Sequence, residues 1–423
     1  MPITTFSSFK SRNFRLFFMG QSVSLIGTWM QKTAVSWVVY SLTQSKVMLG
    51  VSVFATLFPA SMFSLFGGIV ADRYDRYKVL LVTQVLSLVQ AILLTLAVIY
   101  FQQYAVWSII GLSAVLGIIN GFDVPARQSL VQAMVNNKQD LPNALALNSS
   151  MVNLSKLLGP AIAGFALETF GDQVCFGLNA LSFIPVIISL LLMKLPAFFP
   201  KPKADRNIKR EFREAFAFIK ATPDISSTII FAGVMSLLVL PYSTLTPVYA
   251  KDIFQGSAST LGVIDGVIGL GAFIGAIFLA SVKPGTNLTK ILAINTLIFG
   301  TGLVLFSYMT NYYLALVILT CGAFGMMSVV TISNTLIQLS VTQELRGRVL
   351  SIFVMVFAGA IPLGSLLVGG VSHYIGVQAT VLTQGFAAIA VALMYARYLK
   401  KRRLTQEKED SLEKQPEQIL VGA

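Results

Sequence analysis

Charge is scarce in this sequence of 423 residues. Asp, Glu, Lys and Arg make up 12% of it, against roughly 25% in soluble domains. Histidine occurs once, at His373, and no nucleophile partner for it stands out, so a Ser-His or Cys-His catalytic set is excluded. Cysteine occurs twice, at Cys175 and Cys321, in different halves of the chain and in or beside apolar runs. That usage fits neither a disulfide framework nor a metal site. No glycine-rich loop followed by Lys-Ser/Thr is present, which excludes direct use of ATP through such a loop. The sequence reads as a non-enzyme with no cofactor.

What the chain has instead is apolar surface. It is 55% hydrophobic with a mean hydropathy of +0.75, more than a soluble core absorbs, so the bilayer is the solvent. A spanning helix needs about 20 apolar residues. Twelve such runs are expected, at 16–40, 49–70, 79–100, 106–122, 144–167, 176–195, 226–249, 261–282, 289–308, 314–339, 349–374 and 377–398. The first is too long for a signal peptide and lacks a small-residue cleavage site, so it reads as a retained span. The net charge of +13 raises nucleic acid as a partner, but the cations sit in short loops between apolar runs, which argues against it. With the N-terminus placed in the cytoplasm, the inner segments hold all but four of the 31 Lys and Arg residues. Lys46 and Lys251 fall outside, and Lys32 and Lys156 fall within spans. This is the asymmetry that orients membrane proteins, and it puts both termini in the cytoplasm.

The longest connection follows the sixth span. It opens with Pro196, Pro200 and Pro202 and then turns basic. Phe212, Ala215, Phe216 and Ile219 recur there at helical spacing among Lys209, Arg210, Arg213 and Lys220, which predicts an amphipathic helix along the inner membrane surface. The expected organisation is a six-helix N-terminal bundle at 1–195, this linker at 196–225, a six-helix C-terminal bundle at 226–398 and a disordered polar tail at 399–423. The two bundles echo each other. Leu130-Val131-Gln132 matches Leu336-Ile337-Gln338, and Gly159, Gly164 and Gly171 match Gly364, Gly369 and Gly376 at a constant offset. Such internal repeats mark secondary transporters.

The loop between the second and third spans, around GGIVADRYDRYKVLL, packs Asp72, Arg73, Asp75, Arg76 and Lys78 into a few residues behind Gly67 and Gly68. Its G-x-x-x-D-R-x-x-R pattern resembles the signature loop of the major facilitator superfamily. FDVPARQSLVQAMV and LPNALALNSSMVNLSKLLGPAIAG, with FRLFFMGQSVSLIGTWMQ and LRGRVLS, resemble the enterobactin-exporter-like subgroup, which includes macrolide-efflux permeases. The resemblance implies an all-α membrane fold of two six-helix bundles around a central cavity, related by pseudo-two-fold symmetry, that opens alternately to each side. It implies an inner gate at Gly67, Gly68, Asp72, Arg73, Arg76, Arg346 and Arg348, with Asp72 accepting from the start of the eleventh helix. It also implies that Gly159, Pro160 and Gly164 are an antiporter-like motif, although Ser155 and Ala163 stand where that motif commonly has glycine. A kinked packing helix is the plainer reading of these three residues.

The residues themselves point to a cavity. Lys156 lies mid-span, with Ser149 and Asn153 on its face, and Lys32 shares a face of the first span with Gln21 and Thr28, one turn after Trp29. A mid-membrane cation faces a cavity or a partner. These seven residues are the candidate substrate cavity, and the two lysines favour an anionic substrate. Structural roles stand beside that reading: a carbonyl-capped or paired Lys156, and a Lys32 that snorkels outward. Asp265 and Asp123 are the proton-coupling candidates, with a local pair between Asp123 and Arg127 as the plainer account of Asp123. The expected function is export of a small organic molecule, of siderophore or other anionic or amphiphilic type, by proton antiport across a bacterial inner membrane, acting as a monomer. Multidrug or macrolide efflux and uptake by the same fold are alternatives, and a non-transporting membrane enzyme or receptor is a distant one.

Overall fold

The chain is helical almost throughout, and its helix ends are set by local chemistry. The computed structural model describes residues 6–195, 208–283 and 285–420. A 3-10 turn at Ser7–Lys10 leads into α1 (Arg12–Thr43). α2 (Lys46–Arg73) is capped by Ser45, whose hydroxyl accepts from the Met48 backbone N–H, and α3 (Arg76–Tyr100) by Asp75, which accepts from Tyr77. These caps satisfy N–H groups that a helix start leaves unpaired. α4 (Ala105–Met134) follows. α5 (Leu141–Leu192) runs for 52 residues but breaks at Gly171, whose φ of 83° belongs to the left-handed region open to glycine. It therefore supplies two spans.

The linker carries α6 (Ile208–Ala221), and α7 (Pro223–Leu238) follows it. Beyond α7 a 3-10 segment, the short α8 (Thr246–Val248) and a π turn at Tyr249–Ile253 carry the chain onward. α9 (Ala258–Ala280), α10 (Leu288–Ser307), α11 (Tyr312–Ser340), α12 (Gln343–Ile375) and α13 (Val377–Leu420) complete the fold. Among the described residues, ten helices are long and apolar enough to cross a membrane. Counting α5 twice and adding α1, which Gln21, Gln31 and Lys32 make more polar, gives the twelve spans expected.

The prolines at the start of the linker lie outside the described residues. α13 continues as helix to Leu420 in place of the disorder expected from 399 onward. Its extension is rich in Glu, Lys and Gln, all good helix formers.

Each half has an apolar core, and Tyr40 and Leu49 of the first half pack into that of the second. Phe14, Phe17, Leu80, Met134, Phe183 and Val186 pack together in the first half, and Met235, Leu261, Phe299, Leu303, Phe306 and Val329 in the second. The halves meet along two crossings, α2 with α12 and α5 with α9. Glycine makes both close. A Cβ at Gly50 would come within 2.6 Å of the Ser365 carbonyl, and one at Gly262 within 2.5 Å of the Pro160 carbonyl. The repeat is visible here. Gly164 lies against Ala258, Ser259 and Gly262 of α9, and its counterpart Gly369 lies against Lys46 and Gly50 of α2. Gly171 and Gly376, the last matched pair, both take positive φ, at 83° and 86°, and each ends a span.

Candidate functional site

Hydrogen bonds at five places join the two bundles among the described residues. Lys46 Nζ donates to the Ser372 carbonyl at 3.3 Å, Ser257 Oγ to Glu168 at 2.9 Å, and the Tyr40 hydroxyl to Asp252. Ser61 Oγ reaches the Ala358 carbonyl at 3.3 Å and Thr33 Oγ1 reaches Asp265 at 3.5 Å. All five lie between mid-span and the face opposite the bundle termini. Toward the face of the termini the helices part. A Cβ added at Gly68, Gly347 or Gly359 would meet nothing within 4 Å. Asp72 is 75% exposed and its ion pair is with Arg76, at 3.8 Å. The cavity is thus closed at the far face and open toward the termini, and the contact expected between Asp72 and the start of α12 is not made in this state.

The closed end converges on Trp29. Lys32 Nζ lies 4.6 Å from the centroid of its ring and Lys156 Nζ 5.6 Å. Gly159 fixes this geometry, because a Cβ there would come within 2.4 Å of Trp29 Cβ. Among the described residues neither lysine forms an ion pair within 4.0 Å. Lys32 is exposed to the cavity and Lys156 half-buried. Together the two distances place the ammonium groups within about 10 Å of each other, a repulsion of about 2 kcal/mol at an effective dielectric constant of 20.

Asp265 enters from the other bundle. It accepts from Thr33 of α1 and from Thr246 Oγ1 at 3.0 Å. The Thr246 hydroxyl also points at the Ser243 carbonyl, 2.8 Å away, so its one proton serves two acceptors and the carboxylate keeps accepting capacity. Lys32 interacts electrostatically with both Asp265 and Lys156. The site therefore holds two cations, one anion and one aromatic ring at the meeting of both bundles.

The sequence matches the family described as transmembrane secretion effector over residues 3–422. The chain belongs to that family. It is 24% identical over 399 residues to the staphyloferrin A transporter of Staphylococcus aureus, covering 94% of this chain and 98% of the relative. It is 27% identical over 403 residues to the enterobactin exporter EntS of Escherichia coli, covering 92% of each. Macrolide efflux protein A of Streptococcus pyogenes is 22% identical over 391 residues, covering 91% and 95%. A solved POT family transporter superposes with a TM-score of 0.74 at 15% identity, covering 92% of this chain and 96% of that one. The major facilitator fold is thereby shown, and with it a multi-pass transporter, not an enzyme.

Other expected residues of this transporter fall outside the Trp29 cluster. Gln21 is 2% exposed and its Oε1 has no partner. The Thr28 hydroxyl donates to the Ser24 carbonyl at 2.9 Å. Ser149 is exposed and Asn153 half-buried on α5, on the face toward Lys156. Asp123 is buried on α4 and accepts from Thr83 at 2.9 Å and Gln84 at 2.7 Å, with Arg127 3.3 Å away. It lies within the N-terminal bundle, away from Asp265, and the local pair is the arrangement found. Gly164 and Pro160 form the α5–α9 crossing, as a packing helix would. At the gate, Arg73 ends α2, and Arg76 donates to the Ala71 and Ser129 carbonyls at 3.0 and 3.4 Å. Gly67 packs against the Gly121 carbonyl of α4. Arg346 is half-buried with its Nε unpaired, and Arg348 donates to Glu214 at 3.0 Å. Sequence reasoning missed Thr33, Thr246 and Glu168. Thr33 adjoins Lys32, but nothing in spacing alone brings Thr246 of the opposite bundle to it. Glu168 is exposed at the far face and holds the start of α9 by accepting from Ser257.

Proposed function

We propose that this transporter exports a small, acceptor-rich organic anion of siderophore type from the cytoplasm across a bacterial inner membrane, by alternating access, as a monomer and in exchange for protons. The observation that carries the reading is the Trp29 ring with the Lys32 and Lys156 ammonium groups 4.6 and 5.6 Å from its centroid, neither lysine ion-paired among the described residues. An anion relieves their repulsion, and a flat group stacks on the ring. The Lys/Arg asymmetry of the loops supports cytoplasmic termini, so the open face is the one from which an exported molecule enters. The names of two relatives, a staphyloferrin A transporter and an enterobactin exporter, support the same substrate class.

The sign of proton coupling constrains the substrate. A proton on Asp265 makes the cavity more positive, which by charge alone favours an anion. Exchange requires the opposite, so the substrate must also use Asp265 directly. A substrate hydroxyl or amide that donates to the carboxylate loses its acceptor when the proton arrives. The spare accepting capacity at Asp265 supports this arrangement. A substrate with acceptors for the lysines and a donor for Asp265 meets both needs.

A second reading, efflux of a macrolide-like amphiphile, is favoured by the electrostatic interaction of Asp265 with Lys32, which lowers the net positive charge of the site. The test compares accumulation in inverted vesicles with and without the protein, using catecholate, hydroxycarboxylate, macrolide and lipophilic-cation probes. Proton-gradient-dependent uptake of the anions supports the first reading. Uptake of the cations or macrolide alone overturns it in favour of the second. Accumulation sustained by ATP after an ionophore collapses the gradient would remove the proton coupling.

A further inference from the structure

The helix α6 of the linker is divided into flanks of opposite character. Ala215 and Ile219 are buried against Ile225 and Ile229 of α7 and against Val349, Ile352 and Phe353 of α12. Glu214, on one side of this strip, accepts from Arg348 of α12 at 3.0 Å and from Arg210 at 2.9 Å. The other side leaves two large rings uncovered. Phe212 is 37% exposed and Phe216 64%. Arg213 and Lys220, both exposed, follow them around the helix. α6 sits where α7 begins and α12 begins, level with the ends of the spans.

Two exposed phenylalanines beside two cations at that depth match the boundary between acyl chains and phosphate. Rings enter the apolar layer, and the longer side chains reach back to the anionic groups. A soluble anion or an acidic nucleic-acid strand would satisfy the cations and leave the rings in water. We propose that this flank of α6 is a docking surface for anionic phospholipid headgroups. Because Glu214 ties the same helix to Arg348, lipid held there bears on the start of α12, the helix expected to approach the end of α2 when the open face closes.

The test uses the full-length protein and phosphatidylglycerol. Native mass spectrometry after exchange into detergent with phosphatidylglycerol or phosphatidylcholine counts retained lipid for the wild type and for R213Q/K220Q. Each cation near an anionic surface is worth about 1 kcal/mol, so the double variant is expected to bind phosphatidylglycerol about 30-fold more weakly, with phosphatidylcholine unaffected. Phe216→Trp in nanodiscs gives an independent readout, since brominated lipid is expected to quench the added fluorescence above that of Trp29, Trp37 and Trp107. Equal retention of both lipids by wild type and variant overturns the proposal. So does a residue 216 tryptophan that brominated lipid leaves unquenched, or one that is shielded only when a protein partner is added. None of these readouts depends on what the transporter exports.

Discussion

Lys156 sits near the middle of its span, where an ammonium group costs about 2.5–3.5 kcal/mol to insert. The fold offsets part of this by placing it, with Lys32, near the face of Trp29, and a desolvated cation–ring contact contributes up to about 2 kcal/mol. What remains uncompensated is available to a ligand. A charge-assisted hydrogen bond to each ammonium is worth about 1.5–3 kcal/mol. Lys156→Gln and Lys32→Gln are each expected to raise KM for an anionic probe by about 10- to 100-fold and to leave a neutral probe nearly unchanged, measured as uptake by inverted vesicles. Equal effects on both probes would count against an anion site. Asp265→Asn removes the carboxylate that both bundles share. The expected outcome is transport without dependence on the pH gradient, read as counterflow that proceeds equally with and without it. An unaltered pH profile would take Asp265 out of the coupling mechanism and leave, among the described residues, no other carboxylate at the Trp29 site.

At the scale of helices, glycine positions decide how the halves meet. Gly164 admits α9 because it has no side chain. A Cβ there would lie 2.8 Å from the Ala258 carbonyl and 2.9 Å from Ser259 Cα, both backbone atoms that cannot step aside. Overpacking of this kind costs about 1–3 kcal/mol. It falls on the state in which the far face is closed, so Gly164→Val is expected to shift the population toward far-face opening by roughly 5- to 150-fold. Labelling of a cysteine at Ser259 by an impermeant reagent on the far side, in a background without Cys175 and Cys321, reads that shift, and unchanged labelling would show that the crossing tolerates bulk. The positions of such crossings were legible in the sequence, because Gly159, Gly164 and Gly171 recur as Gly364, Gly369 and Gly376. Their partners were not, since Gly262 and Ala258 come to Gly164 only through the arrangement of the two bundles. The same limit applies to the site. Lys32, Trp29 and Lys156 could be found as polar or aromatic residues on one face of an apolar run, whereas the approach of Thr246 to Asp265 depends on the irregular backbone after α7. The linker helix was legible as amphipathic, but not that its apolar face divides into a buried strip and an exposed one. Its Glu214 carboxyl is held below the usual carboxylate range, chiefly by the hydrogen bond from Arg210 and with a contribution from Arg348. The tie to α12 is accordingly present at neutral pH and is lost only as pH falls through that lowered value.

The whole molecule is caught with one end shut. Among the described residues, every hydrogen bond between the bundles lies at or beyond mid-span, and the residues expected at the gate around Asp72 stand apart. Alternating access requires that these far-face contacts break while the helices at Asp72 and Arg348 close, a switch between two states whose populations a ligand shifts only by differential affinity. The closed form is expected to use an acceptor at the end of α2 for the unpaired N–H groups and positive dipole end at the start of α12. Asp72 is placed to supply it, since its present contact with Arg76 at 3.8 Å is exposed and worth little in water. Asp72→Asn keeps the shape and removes the charge, so the protein is expected to insert normally, to stay longer in the state found here and to lose most of its transport. A cysteine at Gly68, which faces open space, reports the balance in the same background without Cys175 and Cys321. It is expected to react with an impermeant thiol reagent supplied on the side of the termini, to be protected when saturating substrate drives turnover, and to remain reactive under those conditions once Asp72→Asn is added. Near-normal transport by Asp72→Asn at equal membrane abundance, with protection of residue 68 intact, would mean that closure rests on other contacts.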